Sequence, residues 1–233
     1  MTVLALEDVT VGYDTPVLRG IDLAVEEGEI VGVVGKNGVG KTTLLKTAMG
    51  LLEPTEGTVT YDGRDVTDDP PDVRAREGIG YIPQGRDIFP GLTVEQNLQM
   101  GEHVGGDSDV TRYEEVYDLF PVLEERADQD GGTLSGGQQQ MLAIGRALVG
   151  DPDLLLLDEP SEGVQPSIVD RISEDIRAIN DELETTVLFV EQNLGVIRTM
   201  ADRCYAIDRG EIADELTGPE LTDEDAIAQY LAV

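Results

Sequence analysis

The sequence predicts an α/β fold built on a mostly parallel β-sheet with helices on both faces. Short, continuously apolar runs such as Ile30–Val34, Leu154–Leu157 and Val187–Val190 have the composition of strands buried on both sides. Between them lie stretches with apolar residues three and four apart, as at Ile168, Ile172, Ile176 and Ile179, the period of an amphipathic helix. Strands that take turns with helices read as crossover units, which make neighbouring strands parallel.

The elements follow in order. Val3 to Tyr13 alternates and is rich in Val and Leu, a strand, and Ile21 to Val25 fits a second. Ile30 to Val34 is a third, ending in glycines, and Lys41 to Met49 has helical composition. Thr58 to Tyr61 is a strand closing on the turn pair Asp62-Gly63, and Gly80 to Pro83 is another. From Val94 to Arg126 the pattern turns helical: Val94, Leu98 and Gly101 share a face, as do Val116, Leu119 and Leu123. A long helix over about Gly136 to Leu148 places Met141, Ile144 and Leu148 together. Beyond it come the strand Leu154–Leu157, the isoleucine helix, the strand Val187–Val190, a strand over Asp202–Ile207 and a terminal helix over Asp223–Leu231. The 233 residues suit one domain, with a core over 1–84 and 148–233 and a helical subdomain over about 85–147.

The formal charge of −32 restricts partners and setting. Binding nucleic acid or an anionic leaflet needs clustered Lys and Arg, so neither is expected, and any membrane attachment runs through protein. Lysine occurs only at Lys36, Lys41 and Lys46. Such a chain repels itself in dilute buffer, whereas at molar salt the Debye length falls to about 3 Å. A very salty cytosol is the setting this suggests; a generally acidic protein of an ordinary cytosol is the alternative. The lone Cys204 lies in an apolar strand and reads as a small core residue. The N-terminus lacks the pattern of a signal peptide, and no run approaches the roughly 20 apolar residues of a spanning helix. The chain is therefore expected to be cytosolic or peripheral.

Three segments carry chemistry. Gly35-Lys36-Asn37-Gly38-Val39-Gly40-Lys41-Thr42 matches G-x-x-x-x-G-K-[ST] between a strand and a helix. Its glycines let backbone N–H groups converge on phosphate oxygens, at the positive end of the following helix. Lys41 is placed to reach the β- and γ-phosphates of a nucleotide, and the Thr42 hydroxyl, followed by Thr43, to ligate Mg²⁺. Leu154 to Leu157 then ends in Asp158-Glu159-Pro160. Strand alternation sends the two carboxylates apart, Asp158 towards the magnesium shell through water and Glu159 towards a water attacking the γ-phosphate. Third, Leu134-Ser135-Gly136-Gly137-Gln138 offers an N-cap serine and two glycines at a second helix terminus. One nucleotide does not need two such termini from one chain, so the second is expected to serve a neighbouring molecule's nucleotide.

In this order and spacing the three segments resemble the ATP-binding cassette (ABC) family over essentially the whole chain. The resemblance implies the P-loop NTPase fold, with an added antiparallel β subdomain and an inserted helical subdomain. It implies ATP and Mg²⁺ as ligands, and a head-to-tail pair of cassettes in which Ser135, Gly136, Gly137 and Gln138 of one face the phosphate loop of the other. By the same resemblance Tyr13 stacks on adenine, and Gln84 in Tyr81-Ile82-Pro83-Gln84 touches Mg²⁺ and links the core to the helical insertion.

Two departures from the common cassette narrow the branch. Where most cassettes place a histidine after the strand Val187–Val190, this chain has Glu191-Gln192-Asn193. Gln192 can donate to a γ-phosphate oxygen but carries no charge. The only histidine, His103, falls in the helical insertion and reads as a solvated loop residue. Where cassettes commonly carry an aspartate that helps couple the two sites, this chain has Gln165. Both departures, and Gly85-Arg86-Asp87-Ile88-Phe89-Pro90 with its downstream Leu92-Thr93-Val94-Glu95-Gln96-Asn97-Leu98, are similar to the branched-chain amino acid import ATPases. Within that group, Lys36-Asn37-Gly38-Val39-Gly40-Lys41, Gly136-Gly137-Gln138-Gln139-Gln140, Ser161-Glu162-Gly163-Val164-Gln165-Pro166-Ser167-Ile168 and the ending Gln229-Tyr230-Leu231-Ala232-Val233 resemble the urea-import subset more. The resemblance implies a subunit on the cytoplasmic face of the membrane, with a second cassette (homo- or heterodimeric), transmembrane permease subunits and, indirectly, an external solute-binding protein as partners. A soluble non-transport cassette is the rival. The chain lacks the long coiled coil of DNA-repair members and the paired cassettes and basic surface of translation-type members. It also lacks the Asn-Lys-x-Asp motif that a P-loop GTPase needs to read guanine.

Far-UV circular dichroism against KCl separates the two readings of the charge: a salt-adapted chain loses secondary structure in dilute buffer and regains it towards molar KCl, whereas full folding in dilute buffer identifies the ordinary one.

Overall fold

Two β-sheets organise the chain in the computed structural model, which describes residues 1–102, 111–223 and 227–231. The N-terminal part contains β1 (Thr2–Gly12), β2 (Pro16–Glu26), β3 (Ile30–Val34), α1 (Lys41–Ala48), β4 (Glu56–Tyr61), β5 (Arg64–Asp65), α2 (Pro71–Arg76) and β6 (Ile79–Ile82). The helical block that follows holds α3 (Val94–Glu102), α4 (Tyr113–Leu119), α5 (Pro121–Glu125) and α6 (Gly136–Leu148). The last part runs β7 (Leu154–Asp158), α7 (Pro166–Leu183), β8 (Thr186–Glu191), α8 (Leu194–Met200), β9 (Arg203–Asp208), β10 (Glu211–Thr217) and α9 (Pro219–Thr222). His103 lies outside the described residues.

The larger sheet has the order β10-β9-β3-β8-β7-β6 and is parallel except for β10, which pairs antiparallel with β9. The smaller sheet, β2-β1-β4-β5, is antiparallel throughout. Every residue of β3, β7 and β8 is buried. Their side chains alternate between two cores, as a period of two requires. Leu155 and Leu157 join Ile30, Val187 and Phe189 on the face covered by α6, α7 and α8. Leu154 and Leu156 join Val31, Leu188 and Val190 on the face covered by α1 and the smaller sheet. Each such aliphatic side chain contributes about 1.5–3 kcal/mol by leaving water, which is why a shift of one residue in this register is not tolerated.

The faces expected for the helical block are used. Val94, Leu98, Val116 and Leu123 are fully buried, and Leu119 is partly buried against the same core. Gly101 is needed for close helix approach, because a Cβ there would sit 2.0 Å from the Arg146 carbonyl oxygen on α6. Cys204 is a core residue, and burial pushes its thiol up to about 12. Five elements go beyond the sequence reading: β5, α2, α8, β10 and α9. In β10 only Leu216 is buried, so its sequence carries no apolar pattern. The strand expected over Ile21–Val25 begins earlier, at Pro16, because the pairing of β1 with β2 continues through register shifts on either side of Val9. The expected terminal helix includes residues 224–226, outside the described residues. Ile227 N bonds to Asp223 O at 3.4 Å, and Tyr230 Oη donates to Asp214 Oδ2 at 2.8 Å.

Burial also leaves a penalty. The Asp175 carboxyl on α7 is pushed up from 3.8 to about 6 by desolvation, against the opposing Arg171 charge, and its Oδ2 is buried without a hydrogen-bond partner. A carboxyl whose folded pKa is raised favours the folded state while protonated, so this contribution is lost as pH climbs from about 4 through about 6. Asp175→Asn is therefore expected to stabilise the protein by about 1–2 kcal/mol at pH 7.5 and to gain little at pH 4, read from thermal melts at the two pH values.

Candidate functional site

The parallel strands of the larger sheet all end at one edge, and that edge is where crevices form in open α/β sheets. β3 delivers the glycine loop there, β6 delivers Gln84, β7 delivers Asp158 and Glu159, and β8 delivers Gln192. The loop turns directly into α1. Gly40, the residue before the helix, has φ 112°, and a Cβ would lie 2.4 Å from Leu18 Cδ2 on β2, so both backbone and packing require glycine.

Lys41, at the first turn of α1, is buried. Its Nζ donates to Gly35 O at 2.8 Å and Lys36 O at 3.2 Å, and pairs with Glu159 Oε1 at 3.3 Å. Glu159 stands just past the end of β7 with φ 47°, a left-handed conformation for a side-chain-bearing residue. Burial raises its pKa, and the Lys41 charge opposes that rise. Gln192 Nε2 donates to Glu159 Oε2 at 3.2 Å. The carboxylate is thus held between an ammonium and an amide.

Thr42 Oγ1 donates to Asp158 Oδ1 at 3.1 Å. Asp158 is 3% exposed, its second oxygen is buried with no hydrogen-bond partner, and burial raises its pKa. A buried carboxylate oxygen without a hydrogen-bond partner is costly. Together with the Thr42 hydroxyl and the nearby Gln84 side chain it supplies the hard oxygen donors that suit Mg²⁺.

These groups open into one cleft of about 410 Å³. Of the residues singled out from sequence, Tyr13, Asn37, Gly38, Gly40, Lys41, Thr42, Thr43, Gln84, Glu159 and Gln192 line it. Gly35 and Lys36 reach it through their carbonyls on Lys41, and Asp158 through Thr42. Val39 lies in the same loop and packs on the neighbouring core. Tyr13 lines the cleft and is 68% exposed. Ser135, Gly136, Gly137 and Gln138 do not line the cleft. Ser135 is exposed at the N-cap of α6, where its Oγ accepts from Gln138 N at 3.4 Å while Gln138 Oε1 accepts from Ser135 N at 3.0 Å. This reciprocal cap occupies the Ser135 and Gln138 N–H groups and leaves those of Gly136 and Gly137 outside it. Gly136 is half-buried, and Gly137 is buried, where a Cβ would stand 2.8 Å from Ile168 Cγ2.

The structure adds residues that sequence reasoning missed. Val17 and Glu162 line the cleft. Glu191, the last residue of β8, is 1% exposed. Its Oε1 accepts from Ser161 N at 3.0 Å and its Oε2 from Gln192 N at 2.8 Å and Asn193 N at 3.0 Å. One carboxylate therefore fixes both the loop after Glu159 and the loop carrying Gln192. The only available signal was a charged residue at the end of an otherwise apolar run. A second cleft of about 440 Å³ lies apart from the first and is lined largely by apolar residues. Leu51, Phe89 and Met100, each between 42% and 50% exposed, stand on it.

The ABC transporter family model matches residues 18–162. The chain is 43% identical over 205 residues, 88% of each chain, to the high-affinity branched-chain amino acid transport ATP-binding protein BraG of Pseudomonas aeruginosa. It is 37% identical over 216 residues, 92% of each chain, to the probable branched-chain amino acid transport ATP-binding protein LivF of Archaeoglobus fulgidus. Among solved structures it superposes on a dimeric post-hydrolysis state of the ATP-binding cassette MJ0796 bound to ADP and Pi. That match has a TM-score of 0.81 and 29% identity, covering 92% of this chain and 98% of the other.

Replacing Glu191 with Ala removes the acceptor for three backbone N–H groups. The expected loss is roughly 2–4 kcal/mol of stability in urea titrations, an order larger than a solvated surface carboxylate would give.

Proposed function

Because this chain belongs to the ABC transporter family, whose ATP-binding subunits hydrolyse ATP, we propose that it is the ATPase subunit of an importer, working on Mg-ATP in the cleft at the sheet edge. The convergence of Lys41, Thr42, Asp158, Glu159 and Gln192 on that one cleft is the observation that carries this reading. The amides of Gly35–Thr42 and the Lys41 ammonium hold the β- and γ-phosphates. The Thr42 hydroxyl, the Gln84 side chain and, through water, Asp158 hold Mg²⁺, which when bound neutralises charge on the phosphates. The 3.3 Å pair between Lys41 and Glu159 has a direct consequence. A phosphate that draws Lys41 away releases the Glu159 carboxylate to accept a proton from the attacking water, with the Gln192 amide steadying it. Tyr13 offers its ring to adenine.

Ser135, exposed at the α6 tip, supports a head-to-tail pair in which the Ser135–Gln138 tip of each chain completes the other chain's site, the partner being a second copy or a separate cassette. The apolar cleft bearing Leu51, Phe89 and Met100 supports docking of permease subunits. Among the described residues no helix is long and apolar enough to cross a membrane, in keeping with a peripheral place on the cytoplasmic face. We keep the division into a core over 1–84 and 148–233 and a helical subdomain over about 85–147 as the mechanical units of this cycle.

For the solute, BraG and LivF support branched-chain amino acids. The stretch Ser161–Ile168 favours urea as the second reading. A salt-adapted host remains our reading of the −32 charge.

Glu159→Gln is expected to lower ATP turnover roughly 10²–10⁴-fold while nucleotide affinity holds, read by phosphate release and fluorescent-nucleotide titration. Unchanged turnover would remove Glu159 from the chemistry. In vesicles holding the assembled importer, ATP-driven uptake of labelled leucine or of labelled urea decides the solute.

A further inference from the structure

We propose that Arg86 is a positioning residue that carries occupancy of the phosphate cradle to the α6 tip of the same chain; this rests on the nucleotide reading above. Arg86 lies two residues after Gln84, which lines the cleft. Its guanidinium reaches three oxygens on two segments, α6 and the turn after β7. Nε donates to Gln140 Oε1 at 3.2 Å, Nη1 to Gln139 Oε1 at 3.5 Å, and Nη2 to Glu162 O at 3.2 Å. Gln139 and Gln140 belong to the first turns of α6. Glu162 lines the cleft and closes a turn onto Glu159, with Glu162 N to Glu159 O at 3.0 Å.

A Cβ on Gly136 would stand 3.4 Å from Nη1, and one on Gly163 would stand 3.6 Å from Nη2, so a glycine flanks the guanidinium on each side. Gly85, Arg86 and Asp87 have φ of 86°, 75° and 46°. Two successive side-chain-bearing residues in the left-handed region persist only where their surroundings hold them. Here α6 does the holding: Arg146 Nη1 donates to Asp87 O at 2.8 Å and Nη2 to Arg86 O at 3.5 Å. The loop is thereby clamped to α6, and the bond from Nη2 to Glu162 O reaches from that unit to the turn behind Glu159.

Arg86 makes no ion pair among the described residues, although carboxylates outnumber basic residues 48 to 16 in this chain. All three bonds go to neutral oxygens. Its planar fork, rather than charge neutralisation, is what the site uses. Gln165, standing where a coupling aspartate is common, has an exposed side chain. The Arg86 fork supplies a connection between the two phosphate-facing ends of one chain, the Glu159 turn and the α6 tip.

Hydrogen exchange read by mass spectrometry, with and without Mg-ATP, tests this at a dilution where light scattering gives a monomer mass. In the wild type, peptides covering 36–43 and 135–141 both gain protection. In Arg86→Ala the gain at 36–43 persists while that at 135–141 falls roughly threefold or more. Arg86→Lys keeps the charge without the fork and behaves like the alanine variant. The proposal is overturned if either variant keeps the full gain at 135–141, or if the wild type gains protection at 36–43 alone. An absence of gain at 36–43 in the wild type overturns the nucleotide reading itself.

Discussion

The parallel alignment of β3, β6, β7 and β8 is the constraint on which the rest depends. It exists because their residues are buried on both faces or nearly so, and because only one register sends the alternate side chains into the two cores. Once that register is set, four chain segments distant in sequence must leave the sheet at the same edge. The glycine loop, Gln84, the Asp158-Glu159 pair and Gln192 are brought together by apolar side chains that have no part in the chemistry. Large changes in Leu155, Val187 or Phe189 therefore reach the site through strand position rather than through contact with a nucleotide.

Within the cleft, opposite charges and amides are balanced against burial. Asp158 and Glu159 are both raised by desolvation, yet they are handled differently. Glu159 has an ammonium and an amide on its two oxygens, whereas Asp158 has a threonine hydroxyl on one and no hydrogen-bond partner on the other. The first arrangement suits a base that is unmasked on binding. The second suits an oxygen reserved for a cation shell.

Much of this was legible in the chain. The phosphate loop is contiguous, its residue types are restricted by backbone geometry, and it sits between a readable strand and a readable helix. The Asp158-Glu159 pair is likewise announced by four leucines. What escaped was long-range or unpatterned. Glu191 bonds to Ser161 across 30 residues, and Arg86 bonds to Glu162 across 76, and neither separation leaves a periodic trace. β10 escaped because an edge strand with one buried side chain needs no apolar alternation. α2 escaped because its purpose is to place Arg74, which donates to Thr47 O and Ala48 O at the end of α1, a reason invisible in a six-residue polar segment.

The apolar notch formed by Leu51, Phe89 and Met100 takes on a particular meaning on so acidic a body. Ion-paired interfaces loosen when counterions crowd in, but oily contacts do not, and strongly excluded salts tighten them. A subunit that grips its neighbour through hydrocarbon can let its solvent-facing carboxylates vary freely. With the proposed docking through this cleft, adhesion and solubility fall to separate surfaces, and salt that would strip a charged joint would leave this one closed.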